Sequence, residues 1–351
     1  MVGITSHRSW AALLGMAAGI TAFGMVGSAV HASAIASDNA SGANSTTGGA
    51  ITTGANGGYG FGSWTLLASD SNSPPYAGEY SDTSSKPIST GNNSWGVYAN
   101  SGTSTATPRV DLFRPFTSAL ASGQAFNVAL ESDSVGSDVY GYSTTAGTPA
   151  TYHQNGLPAY GFSLQTGSAA TVTAGTTALS VANPFVSPAS SASYNAGSFT
   201  NPNAVFTFSL TELGPGETLN GQSNPATATS GGYVLETNIT DASGTTSVLS
   251  TGSNAINEAQ ISAGINASFA LGNAGAYTLT LSSVGATPVV LATYTGTVNG
   301  TINGADLFDQ ATAQNGYFNS LQIAAVPEPA TIGLFVAAGA GLLLIRRRRS
   351  A

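Results

Sequence analysis

Glu131 and Asp133, two residues apart in the stretch ALESDSVGSDVYG, are the side chains with the most chemistry within reach. On a strand this spacing sends both carboxylates to one face. Together with Asp138 they suit two chemistries. Glycoside hydrolysis uses two carboxyls about 5–9.5 Å apart, and a calcium ion accepts six to eight oxygens from carboxylates and carbonyls. An E-x-D-x-x-E array on one strand would need a third acid at an offset where this chain has none, which counts against hydrolysis. DSVGSD also lacks the D-x-[DN]-x-[DN]-G order of a helix-flanked calcium loop. Solvated loop acids are the plainer reading, and Asp306 and Asp309 in NGADLFDQ form a second pair of the same kind.

Other catalytic apparatus is sparse. The chain has no cysteine, so a disulfide framework and a thiolate metal site are both excluded. Of three histidines, His7 and His31 lie in the N-terminal apolar region, which leaves His153 in a loop-like stretch, TYHQNGL, with no G-x-S-x-G elbow to serve. Histidine-based zinc or iron sites need two or three such ligands. Stacking on sugar rings calls for exposed aromatics beside amide and carboxylate groups. Trp64, Trp95, Tyr140 and Tyr142 are the candidates for glycan contact, against the alternative that they pack in a core.

These residues sit among strands. Phe126, Val128 and Leu130 alternate with Asn127 and Ala129, the pattern of a half-buried strand. Similar runs follow in LPAYGFSLQT, AVFTFSLTEL, GGYVLETNITD, GAYTLTLSSV, PVVLATYTGTVNG and GYFNSLQIAAV, parted by turn signals such as DASG and GNAG. The only helix candidate, LFRPFTSALASGQ, is bounded by Pro115 and Gly123 and allows one turn at most. The pattern predicts an all-β, two-sheet antiparallel sandwich, with a jelly roll expected, over residues 57–325. Residues 35–56, small and polar without periodicity, read as a flexible leader.

The termini supply the compartment. Arg8, an apolar run and an A-x-A site at Ala32 and Ala34 have the order of a secretory signal peptide spanning residues 1–34. Charged residues are only 7% of the chain, against about 25% in ordinary soluble proteins. Outside the two termini the basic residues are Lys86, Arg109 and Arg114, facing 15 of the 16 acids, a net charge of −12. Such a surface repels phosphate backbones, which excludes nucleic acid as a partner. At the other end, an apolar stretch from Ile332 to Ile345 is long enough for a short membrane-spanning helix of about 24 Å counted from Ala330. The four arginines Arg346, Arg347, Arg348 and Arg349 follow it and hold that end on the cytoplasmic side.

The order VPEPAT, apolar helix, arginine cluster and chain end over residues 326–351 resembles the PEP-CTERM sorting signal of Gram-negative bacteria. That resemblance implies recognition of Pro327, Glu328 and Pro329 by an exosortase in the inner membrane. It implies removal of the helix and delivery to the cell surface or an exopolysaccharide biofilm matrix. The body, through GFGSWTL, LFRPFTSALASGQAFNVAL, YGFSL, GAYTLTL and YFNSLQIAAVPEP, resembles concanavalin A-like lectin and glucanase folds, without a binding residue that carries over. The expected protein is therefore exported and non-catalytic, has exopolysaccharide as a candidate contact, and needs no cofactor beyond a candidate structural calcium ion. A glycan-cleaving enzyme of the same fold is the alternative, and a β-solenoid adhesin is disfavoured because the body has no fixed repeat period.

Overall fold

The computed structural model describes residues 34–41, 51, 53–69, 77–99, 109–133, 135, 159–174, 177–180, 199–213, 218–219, 221–223, 234–251, 255–310, 312 and 315–326. Ala32, Asp138, Tyr140, Tyr142, His153, Pro327, Glu328, Pro329 and the arginines Arg346 to Arg349 lie outside them. Among the described residues no helix is long and apolar enough to cross a membrane.

In chain order the first strands are β1 (Ala34–Asp38), β2 (Thr65–Ser69), β3 (Ala77–Asp82), β4 (Ser94–Ala99) and β5 (Arg109–Pro115). Then come β6 (Gln124–Ser132), β7 (Ala159–Gln165), β8 (Thr171–Ala174), β9 (Thr177–Ser180) and β10 (Phe199–Thr200). The next five are β11 (Ala204–Leu213), β12 (Thr218–Leu219), β13 (Gln222–Ser223), β14 (Val234–Asp241) and β15 (Gly244–Leu249). After the short helix α1 (Glu258–Ser262) follow β16 (Ile265–Leu271), β17 (Ala276–Ser283), β18 (Val290–Thr297), β19 (Gly304–Gln310) and β20 (Gly316–Ala325).

Two antiparallel sheets carry the fold. One runs β18-β17-β16-β6-β20-β4-β3, with β1 as an eighth strand on β20. The other runs β15-β14-β11-β7-β19-β5-β2. The chain crosses between them from β4 to β5 to β6 to β7 and again from β18 to β19 to β20, the winding a jelly roll requires. Alternation places Phe126, Val128 and Leu130 in the core, as the sequence predicts. A ladder of rings (Phe116, Phe126, Phe162, Phe206, Phe269 and Tyr277) links the two sheets with centroid spacings of 4.6 to 5.9 Å. Each such ring stabilises the fold by about 1.5–3 kcal/mol through burial alone.

Two expectations are corrected. The flexible leader does not hold over its first part: Ala34–Asp38 is a strand paired with Leu321 to Ala324 of β20, and Ala36, Asp38, Ala40 and Ile51 are all buried. Its small residues are there for close approach, since the 57–61 segment crosses β1 through Ser37–Tyr59 backbone hydrogen bonds of 2.9 Å. A Cβ on Gly58, whose φ is +68°, would lie 2.0 Å from Ser37 O. The helix is also elsewhere: Leu112 to Pro115 complete β5, whereas α1 starts at a capping box in which Asn257 and Gln260 bond each other's backbone.

A buried ion pair fixes β1. Arg114 and Asp38 are 0% and 1% exposed and meet at 3.1 Å. Trp64 Nε1 donates to the same carboxylate at 3.2 Å, and Arg114 Nη2 donates to Gly57 O at 2.6 Å and Asn56 Oδ1 at 3.2 Å. Burial raises the Asp38 pKa and lowers that of Arg114 to about 10, each only partly offset by the other's charge. Desolvation therefore works against both charges, and what the pair contributes is the placement of β1.

Candidate functional site

Four side-chain positions form a straight row across the outer face of the eight-stranded sheet: Tyr80 on β3, Gly96 on β4, Tyr317 on β20 and Glu131 on β6. The glycine is what shapes the row. The Tyr80 ring lies over Gly96, where a Cβ would sit 2.5 Å from its Cζ, and its hydroxyl donates to Tyr317 Oη at 3.1 Å. One row away the arrangement is mirrored, with Tyr98 on β4 reaching over Gly78 on β3. Tyr80 and Tyr98 are half-buried with centroids 6.3 Å apart, each resting one side on glycine backbone. They make an aromatic shelf of the kind on which a sugar ring stacks.

Lys86 closes the polar end of this shelf. Its Nζ donates to Asp133 Oδ1 at 2.9 Å and Oδ2 at 3.2 Å, lies 3.8 Å from Glu131 Oε1 and sits 4.2 Å above the Tyr317 ring centroid. Burial pulls the lysine pKa down, but Asp133 and Tyr317 outweigh it and leave the pKa raised. Glu131 is 2% exposed; burial pushes its pKa up to about 7 against the pull of Lys86. Asp133, with a 51% exposed side chain, faces solvent, and Asp82 beside it accepts hydrogen bonds from Ser84 and Ser94.

The sequence-predicted pair is thus brought together, Glu131 and Asp133 converging on an ammonium from the same chain. Among the described residues no group of three or more histidine, aspartate or glutamate side chains could hold a metal ion. Trp64 and Trp95, candidates for glycan contact weighed against core packing, lie in the core: both are 3% exposed and they pack edge to face at 5.2 Å. Asp38 satisfies the Trp64 N–H, so that ring needs no contact with water. Tyr80, Lys86 and Tyr317 were not picked out from the sequence. A signal exists, since Gly78 and Tyr80 on one strand and Gly96 and Tyr98 on the next repeat the same G-x-Y spacing.

Asp306 and Asp309 are likewise structural. On the outer face of the seven-stranded sheet Arg109 clasps Asp111 at 2.6 to 2.9 Å, stacks 4.5 Å over Phe308 and lies 3.9 Å from Asp306. Burial and the neighbouring Asp111 hold Asp306 well above the usual carboxylate range, with Arg109 pulling the other way. From the turn between β10 and β11, Asn201 donates to Asp306 at 3.3 Å and to Gln165 at 2.7 Å. Asp309 accepts from Thr312, and burial raises its pKa as well.

Gly96 offers a clean test of the shelf. Gly96→Ala is expected to displace the Tyr80 ring at a stability loss of about 1–2 kcal/mol, since the neighbour that must move is a half-buried side chain. Near-ultraviolet circular dichroism should change with the tyrosine environment while far-ultraviolet circular dichroism keeps its strand signal.

No protein-family model matches the chain, and no curated protein does. Among solved structures, the chain is similar to the globular domain of T. cruzi calreticulin, with 7% identity, a TM-score of 0.37 and coverage of 79% of this chain and 90% of that one. It is similar to the exoplasmic/lumenal domain of VIP36 in a Ca2+/Man3GlcNAc-bound form, at 8% identity, TM-score 0.36 and coverage of 75% and 89%. A Bacillus subtilis protein of unknown function with a galectin-like fold matches at 6% identity, TM-score 0.30 and coverage of 75% and 89%. Likenesses this distant carry no argument about function.

Proposed function

We propose that this is an exported, non-catalytic surface or matrix protein that contacts neutral glycan through the Tyr80–Tyr98 shelf. The observation that carries this reading is the placement of Lys86. The two carboxylates that a glycosidase would set around a scissile bond, Glu131 and Asp133, here close on an ammonium resting on Tyr317, so the space a reacting carbon would need is filled from within. What stays open is the shelf, edged by Asp82 and Asp133, with aromatic faces for a sugar ring and carboxylates for its hydroxyls. The net charge of −12 outside the termini favours neutral over acidic polysaccharides.

Incubating the purified protein with a panel of neutral polysaccharides tests the non-catalytic part. Retention without new reducing ends is the expected result; reducing ends that appear and then vanish in Glu131→Gln would establish the glycan-cleaving alternative.

Delivery follows from the C-terminal sequence: Pro327, Glu328 and Pro329 as the motif read by an exosortase, the apolar segment as a transient inner-membrane anchor, and Arg346 to Arg349 as its latch. Replacing Pro327, Glu328 and Pro329 with alanine is expected to leave a membrane-bound, full-mass form in a host that processes the parent chain. Unchanged release on fractionation and blotting would refute the sorting reading.

A further inference from the structure

β20 finishes at Ala325, and Ala34 at the start of β1 pairs with Ala324, so the described residues begin and end at the same end of the sandwich. Both apolar stretches of the sequence attach there. The N-terminal run finishes at Val30, four residues before Ala34, and the C-terminal run starts at Ile332, six residues after Val326, a reach of at most about 20 Å when fully extended.

Bare apolar surface gathers at this end as well. Five large hydrophobic side chains are exposed among the described residues, and Ile35, Tyr59 and Val326, at 44%, 54% and 37%, are three of them. Their backbones adjoin. Tyr59 Oη donates to Ala34 O at 3.3 Å, Thr117 N to Gly60 O at 3.2 Å and Val326 N to Gly123 O at 2.7 Å, which joins the 57–61 segment, β1, the end of β20 and the β5–β6 loop into one patch. Ala119 and Ala121 in that loop are exposed too.

Charge is distributed the opposite way. The β5–β6, β16–β17 and β18–β19 loops and the 57–61 and 166–170 segments, which meet at this end, contain no charged residue. Asp241 in the β14–β15 turn, bonded by Tyr277 Oη and Ser243 N, is the one charge among the described residues there. Lys86, Glu131, Asp133 and the Tyr80–Tyr98 shelf lie at the other end, toward which β6 runs. A body with a net charge of −12 outside the termini is repelled by an anionic lipid surface except where its acids are missing.

We propose that this neutral end is a membrane-contact surface: while the chain is anchored, Ile35, Tyr59 and Val326 enter the headgroup region of the bilayer and the acidic end holds the Tyr80–Tyr98 shelf outward. The proposal rests on the reading of the tail as an inner-membrane anchor. A tyrosine suits that depth, with its ring toward the acyl chains and its hydroxyl in the polar layer.

The chain has no cysteine, so a single introduced cysteine takes a label without ambiguity. Full-length Ser118→Cys and Thr287→Cys, exposed at the near and far ends, are labelled with the fluorophore NBD and inserted into preformed vesicles of phosphatidylethanolamine and phosphatidylglycerol. The Ser118 label is expected to emit to the blue and to be quenched by iodide less than about half as strongly as the Thr287 label. Adding Tyr59→Glu/Val326→Glu should return the Ser118 label to water, and because both side chains are exposed the melting temperature should hold. Flotation separates this proposal from the reading beneath it. A chain that does not float with the vesicles removes the anchor and this contact with it. A chain that floats with both labels equally quenched, or with a Ser118 label indifferent to the glutamates, overturns the contact and leaves the anchor standing.

Discussion

Arg114→Met is expected to lower stability by roughly 3–5 kcal/mol, the range for removing one partner of a buried ion pair. The guanidinium is wholly enclosed, and its loss leaves Asp38 in the core with Trp64 Nε1 and the Asn39 N–H as its remaining support. Gly57 O, Asn56 and Ala55 O lose a donor in the same step, so the crossing segment loosens together with β1. For a domain of this size the melting temperature should drop by about 10 °C. Protonating Asp38 removes the stranded charge, so the deficit should shrink in acid, and adding Asp38→Asn should recover part of it at neutral pH. Thermal melts of the three proteins at two pH values check the account. A melting temperature within a degree or two of the parent would mean that β1 is not pinned in this way.

Acidification should stabilise the protein. Glu79 and Glu131 are both pushed up to about 7 by burial, with Ile51 N–H on one and Lys86 by the other giving only partial relief. A folded-state pKa above the unfolded value means that the native state binds more protons between the two. The stabilisation is therefore fully present below about pH 4.5 and lost as pH rises to about 7. With solvent screening discounted, the two groups together amount to roughly 2–4 kcal/mol between pH 5 and pH 8. Asp306 and Asp309, raised in the same direction by burial, act with the same sign. Chemical denaturation at pH 5 and pH 8 should give the higher midpoint at pH 5, and Glu131→Gln should flatten the dependence.

What the sequence disclosed follows from which interactions are local. Phe126, Val128 and Leu130 announced β6 because burial on one face of a strand writes itself at every second residue. Glu131 and Asp133 announced a shared face for the same reason. Their partner Lys86 comes from a loop far upstream and is joined to them only by the pairing of β3, β4, β20 and β6, which no local pattern encodes. β1 was hidden because close packing there demands small side chains, Ala36 and Ser37 in the strand and Gly58 in the segment that crosses it, the composition of a flexible linker. The tryptophans stayed open between two readings because burial and sugar stacking call for the same side chain; the choice fell to Asp38, placed beside Trp64 by folding. The shelf was legible in one respect, the repeated G-x-Y of β3 and β4. Its meaning depends on a register that sets each tyrosine opposite the other strand's glycine.

The central claim is that the Tyr80–Tyr98 shelf holds glycan. Its most direct measurement is affinity electrophoresis of the parent chain, Tyr98→Phe and Tyr98→Ala in gels cast with a neutral polysaccharide that retards the parent. The account predicts that Tyr98→Phe keeps most of the retardation and that Tyr98→Ala weakens binding about tenfold or more, as expected when a stacking ring worth at least 1.4 kcal/mol is removed. Equal retardation of all three proteins would contradict it, as would a parent chain that no neutral polysaccharide retards.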